Sequence, residues 1–148
     1  MARPIVLGNG NTLLCLDQFG QVRDFYFPYV GLENHTGGRY IHKIGVWADG
    51  QFSWLDDGRW QIKVDFAPET MASDIEAVNS DLELALNFND VVYNEKNIFI
   101  RKVHVRNLGQ RTRKVNLFFH QVFELYESHR GDTAYFDPLR QIIVHYKG

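Results

Sequence analysis

"WQIKVDF", residues 60–66, decides the fold. Trp60, Ile62, Val64 and Phe66 fall on one side of an extended chain, and Gln61, Lys63 and Asp65 fall on the other. Successive side chains of a strand point to opposite faces, so alternation with one apolar side marks a half-buried strand. The same period governs "LELALNF" (82–88), where Leu82, Leu84, Leu86 and Phe88 share a side. "VNLFFHQVFEL" (115–125) groups Val115, Leu117, Phe119, Phe123 and Leu125, with Gln121 the polar exception.

Working outward, Asp and Gly punctuate the chain where it must reverse: "DQFGQ" (17–21), "ADGQ" (48–51) and "DDGR" (56–59). "YNEKN" (93–97) and "NLGQRT" (107–112) join further pairs. Strands are predicted near 4–7, 11–17, 21–27, 41–48, 51–55, 59–66, 81–93, 97–107, 113–126 and 139–147. "PETMASDIEAVNS" (68–80) is the one stretch with room for a helical turn, with a loop or an edge strand as alternatives. Many strands on short hairpins predict an all-β fold, an antiparallel β-sandwich. "LRQIIVHYKG" (139–148) reads as a strand without its hairpin partner. The expectation is therefore a piece of a larger sandwich, with the last strand an open edge that invites self-association.

The 148 residues suit a single domain, and a chain of that size buries roughly 70% of its unfolded surface without disulfides or metals. The aromatic share, 14%, favours strands, where flat side chains fit a pleated surface. A net charge of −2 gives no clustered positive surface for nucleic acid. The basic run "RNLGQRTRK" (106–114) reads as a charged hairpin turn. Cys15, the lone cysteine, sits in the apolar run "TLLCLD" and reads as an inert buried thiol. No leader and no apolar run of about 18 residues stands out, so no membrane partner is expected and the cytoplasm is the default location.

The residues offer little catalytic machinery. Cys15, Ser53, Ser73, Ser80 and Ser128 carry no nucleophile signature. "GNGN" (8–11) precedes a strand rather than opening a helix, so it reads as a turn and not a phosphate loop. The spacings His35/His42 and His120/His129 match no zinc pattern, and no metal or cofactor is expected. Asp56 and Asp57 are adjacent in a turn and make a poor acid/base pair for glycoside hydrolysis.

"YFPYVGLENH" (26–35) is different. Aromatic rings stack on the apolar faces of sugars, and Glu, Asn and His hydrogen-bond hydroxyls. Tyr26, Tyr29, Glu33, Asn34 and His35 therefore form a candidate carbohydrate surface. The plainer alternative is the end of a strand, a Pro stop and a capped turn. Among the tryptophans, Trp60 reads as core, and Trp47 and Trp54 as packing across the Asp49-Gly50 hairpin.

"GNGNTLLCLDQFGQVRDFYFPYVGLENH" (8–35), "IGVWADGQFSWLDDGRW" (44–60) and "GDTAYFDP" (131–138), in this order, resemble the start of prokaryotic glucoamylase-type enzymes of glycoside hydrolase family 15. The likeness covers essentially the whole chain. It implies a super-sandwich similar to the galactose mutarotase fold, incomplete here, followed in such enzymes by a catalytic (α/α)6 barrel that carries both catalytic glutamates. It also implies that this segment is inactive alone, with no catalytic residues of its own. Its partners would be that barrel and an α-glucan oligosaccharide, with the 26–35 loop at the interface or the substrate pocket. "GDTAYFDP" is either a second interface loop or a turn. A stand-alone carbohydrate-binding or interaction module is the alternative.

Overall fold

A computed structural model describes residues 3–37, 41–128 and 130–148. The strands are β1 (Ile5–Gly8), β2 (Leu13–Leu16), β3 (Val22–Tyr26), β4 (Lys43–Ala48), β5 (Gln51–Trp54), β6 (Gln61–Phe66), β7 (Ser73–Asn79), β8 (Leu84–Val92), β9 (Phe99–Asn107), β10 (Val115–His120), β11 (Asp132–Asp137) and β12 (Ile142–Lys147). Every ladder is antiparallel. They form a four-stranded sheet β6-β7-β8-β9, two three-stranded sheets, β10-β4-β5 and β1-β2-β3, and the hairpin β11-β12.

The alternation read from the sequence sets the core of this all-β sandwich. Ile62 and Val64 of β6, Ile75 and Ala77 of β7, and Leu84, Leu86 and Phe88 of β8 turn inward. They meet Ile5 and Leu7 of β1 and Ile44, Val46 and Ala48 of β4, with Leu55 and Trp60 filling the corner. Burying one such large side chain stabilises by about 1.5–3 kcal/mol. The β4–β5 hairpin turns on Asp49 (φ 52°) and Gly50 (φ 81°), two successive left-handed residues whose twist matches the flanking strands. Asn9 closes the "GNGN" turn by accepting from the N–H groups of Asn11 and Thr12.

Polar groups inside the sandwich join its layers. Asp17 Oδ1 accepts from the N–H groups of Phe19 and Gln21, and Gln21 Oε1 accepts from Ile44 N–H, which ties the β2–β3 turn to β4. Burial pushes the Asp17 carboxyl above its ordinary range, against those backbone bonds. Cys15 is buried, and burial followed by Asp24 pushes its thiol up. Asp90 is fully buried on β8, opposite Arg101 on β9. The pair is bidentate, with Nε to Oδ1 at 2.7 Å and Nη2 to Oδ2 at 2.8 Å. Arg101 Nη2 also donates to Gly20 O at 2.7 Å, and its guanidinium lies 5.3 Å from the Phe88 ring and 5.5 Å from Phe99. Asp90 N–H in turn donates to Ser73 Oγ on β7.

The structure differs from the sequence reading in three places. Residues 73–79 form β7, an interior strand between β6 and β8, and neither a helical turn nor an edge. Its inward positions include Ser73, Ala77 and Asn79, too small or too polar to register as an apolar stripe. The strand expected over 113–126 stops at His120, because the chain leaves β4 to pair with residues 35–37: Glu124 N–H donates to His35 O and Gly37 N–H to Val122 O. "GDTAYFDP" is a strand, so β12 has the hairpin partner that the sequence reading denied it. Trp47 and Trp54 lie across the Asp49-Gly50 hairpin as read, Trp47 paired with Phe52 and Trp54 with Gly45. Trp54 packs edge-on to Phe52 at 4.7 Å, and a Cβ on Gly45 would sit 2.4 Å from Phe52 and 2.9 Å from Trp54. Trp60 is core as expected, its Nε1–H donating to Ser53 Oγ at 2.8 Å.

Removing one partner of a buried ion pair leaves the other charge unpaired. Arg101→Met should therefore cost about 3–5 kcal/mol in urea unfolding. The paired replacement Asp90→Leu/Arg101→Met should recover most of that loss, and a loss below about 1 kcal/mol for the single variant would remove the clamp from the account.

Candidate functional site

The 26–35 segment closes on itself. Tyr26 bridges Asn34, His35 N–H donates to Phe25 O at 2.7 Å, and Leu32 and Glu33 N–H both donate to Tyr29 O. The Phe27–Pro28 peptide is cis. Asn34 is spent on the base of the loop. Its Oδ1 accepts from the N–H groups of Phe25 and Thr36 and from the Thr36 hydroxyl, while its Nδ2 donates to Asp24. Asp24 is held from its other side by Arg3 at 2.6 Å.

His35 is buried beneath the loop. Its Nε2 donates to Phe27 O, and its Nδ1 accepts from Tyr126 N–H at 3.3 Å. Both ring nitrogens are thus engaged, and its place is that of a post between the loop and residues 125–127. Tyr26 is half-buried, and burial followed by Asp24 pushes its phenol up. Glu33 keeps one carboxylate oxygen buried without a hydrogen-bond partner among the described residues. The tip is apolar and open: Tyr29 is 59% exposed and Leu32 74%, with Phe27 and Val30 beside them. So the five residues named from sequence divide. Asn34 and His35 hold the loop from below, Tyr26 lines its flank, and Tyr29 and Glu33 carry the groups left to meet something else.

The sequence reading missed what stands next to this loop. Phe123 bridges Thr36 and is ringed by Phe25 at 6.1 Å, His42 at 4.9 Å and His145 at 5.7 Å. The loop, the segment 121–128 and the β11-β12 hairpin therefore meet at one end of the sandwich. Lys147 Nζ fastens the hairpin there by donating to Leu125 O and Ser128 O, each at 2.6 Å. Between β10 and the hairpin lies a groove of about 190 Å³, lined by Phe119, Gln121, Phe123, Ala134, Ile143 and His145. Its one early signal was Gln121, the polar exception on an apolar face.

Other sites considered from sequence have ordinary occupations. Asp56 pairs with Lys43 at 2.8 Å, and Asp57 pairs with Arg59 at 2.7 Å while accepting from Ser53 Oγ. Arg111 and Arg113 of the basic run both pair with Asp49, which hold that carboxyl below its ordinary range, and Arg106 pairs with Glu76 at 3.6 Å. His42 Nε2 donates to Val122 O, and His120 Nδ1 meets Ile41 O. His129 lies outside the described residues. Among the described residues no cluster of His, Cys, Asp and Glu has the arrangement of a metal site, and no helix is long and apolar enough to cross a membrane. A wider depression of about 420 Å³ on the outer face of β6-β9 is lined mainly by charged groups, including Lys63, Asp65, Asp74, Glu76 and Arg106.

The chain is similar to a glycosyl hydrolase. It is 24% identical over 131 residues to an uncharacterized glycosyl hydrolase of Methanocaldococcus jannaschii, an alignment covering 88% of this chain and 20% of that protein. The chain thus spans about a fifth of that relative's length. No family model matches the chain, and no solved structure matches it. The likeness is to a glycoside-hydrolase-related domain, coarser than family 15.

Burial lowers the His42 pKa from its ordinary value, opposed by the bond to Val122 O, and His120 lowers it further. The unfolded chain therefore takes up a proton near pH 6.5 that the folded state resists. Stability should fall as pH drops below about 6.5, by at most about 1.4 kcal/mol per pH unit for this one group. The His42→Gln variant should lose that part of the slope between about pH 6.5 and 5, where ordinary carboxylates contribute little. Parallel slopes in urea melts of the two proteins would remove His42 as the cause.

Proposed function

We propose that this chain is the N-terminal super-sandwich of a glucoamylase-type glycoside hydrolase acting on α-linked glucans. It packs against a catalytic helical barrel and is inactive alone. The observation that carries the reading is the 26–35 loop. Its aromatic tip is open to solvent while half-buried Asn34 and buried His35 brace it from beneath. A loop prepared this way is suited to meet a second surface, because little ordering remains to be done when contact forms.

Support comes from three directions: the ordered sequence segments that resemble family 15, the antiparallel sandwich, and the likeness to a glycosyl hydrolase. In this reading Tyr26 and Tyr29 supply apolar contact to the barrel or to a sugar ring. Glu33 supplies the polar contact, and Asn34 and His35 set the loop's shape. The chemistry is inverting hydrolysis, with a general acid and a water-activating base, and belongs to the barrel. The protein would work in the cytoplasm.

Two experiments test this. Reading the gene beyond the Gly148 codon should reveal further strands and then a helical segment carrying glutamates; an immediate stop codon would favour the stand-alone binding or interaction module. In the polypeptide that includes the barrel, Tyr29→Ala should reduce kcat/KM on maltooligosaccharides roughly three- to tenfold, the worth of one aromatic contact. Unchanged kinetics in a folded variant would take the loop out of the substrate or barrel interface.

A further inference from the structure

We infer that the groove between β10 and the β11-β12 hairpin is a binding site for a single pyranose ring, separate from the tip of the 26–35 loop. The inference rests on the α-glucan reading above for the class of sugar. The groove's own chemistry supplies the rest.

The walls are Phe119, Phe123 and Ile143, flat or aliphatic surfaces of the kind that take the C–H faces of a sugar ring. Phe119 and Ile143 are 47% and 77% exposed, so this apolar surface is open to an incoming ring. Two planar polar groups, the Gln121 amide and the His145 imidazole, sit among them. The Gln121 amide makes no hydrogen bond to a described residue, which leaves two donors and an acceptor available. His145 Nε2 lies 3.8 Å from Asp132, and its ring packs edge-on to Phe123; Asp132 also lies 3.6 Å from Lys147 Nζ.

Gln121 argues against a purely apolar occupant. It directly follows β10, between Phe119 and Phe123, where the sequence alternation of 115–125 would put an apolar residue. A hydrophobic segment covering the groove would strand that amide without partners, an unfavourable burial. A sugar ring satisfies both halves of the lining at once, with apolar faces for the rings and hydroxyls for the amide and imidazole. Size sets the number of rings. About 190 Å³ is below the roughly 300–1,000 Å³ of pockets for drug-sized ligands, so the groove suits one ring and not a chain.

The test is an amide-resolved NMR titration of the 148-residue chain with glucose, maltose and the open-chain hexitol sorbitol. Glucose and maltose should shift Gln121, Phe123, Ile143 and His145 together, with Kd on the order of 1–10 mM. Sorbitol has comparable hydroxyls but no ring faces, and should bind at least about tenfold more weakly. Sugar ring protons should show direct magnetisation transfer to Phe119 and Phe123. Gln121→Met, which keeps the bulk and removes the amide, should weaken glucose binding about tenfold. If that variant does not fold, sorbitol discrimination and transfer to the two rings decide the matter in the unaltered chain. Absence of shifts at about 100 mM sugar, equal response to sorbitol, or a dimer whose interface covers Phe119 and Ile143 would each overturn the inference. If binding fails while Tyr29→Ala still slows the barrel-containing protein, the groove inference alone is lost. If both fail, the α-glucan reading falls with it.

Discussion

Asp90 and Arg101 hold the layers in register. A carboxylate with no solvent exposure is tolerable only if its charge and its oxygens are matched, and Arg101 matches both with two parallel bonds. The same guanidinium takes Gly20 O from the β2–β3 turn, and Asp90 N–H takes Ser73 Oγ from β7. One ion pair thus fixes β7, β8, β9 and the β2–β3 turn relative to each other. Apolar burial supplies most of the stabilisation but has no direction. The directional choice of register comes from groups such as this pair and the Gln21 bond to Ile44 N–H.

From that fixed frame the functional end follows. The Asp17–Gln21 turn sets the start of β3, and β3 runs straight into the 26–35 loop. Polar side chains at the base of the loop replace the ladder that an extended strand would have had. Asn34 occupies four donors and acceptors there, and His35 joins the loop to residues 125–127. Phe123 then couples this region to the hairpin through ring contacts rather than hydrogen bonds. The outcome is a rim with an apolar tip on one side and a mixed groove on the other.

Much of the fold was legible because alternation is a local property. Residues 60–66 and 82–88 turned inward where their period placed them, and the Asp49-Gly50 turn formed as its residues demand. β7 was hidden because Ser73 and Asn79 face inward for hydrogen bonding, to Asp90 N–H and to Leu82 N–H, and not for apolar burial. β11 was hidden because Gly131, Asp132 and Pro138 gave it the look of a turn. The site was legible as a loop and as a list of residues, but not as a division of labour. Nothing in the spacing of His35 foretells that a residue ninety-one positions later donates to its ring. The groove needed Phe119, Phe123 and Ile143 brought together from two separate ladders, which only tertiary pairing achieves.

The hairpin β11-β12 has a consequence of its own. Its six-residue ladder closes within itself, and its described ties to the body are the Lys147 ammonium on two carbonyls and the Phe123–His145 contact. Breaking those ties exposes little apolar core, since the buried cluster draws none of its members from residues 132–147. Few buried apolar contacts and few ties are the features of a unit that opens locally at less cost than global unfolding. One wall of the groove therefore belongs to a hairpin that one lysine and one ring contact hold to the body.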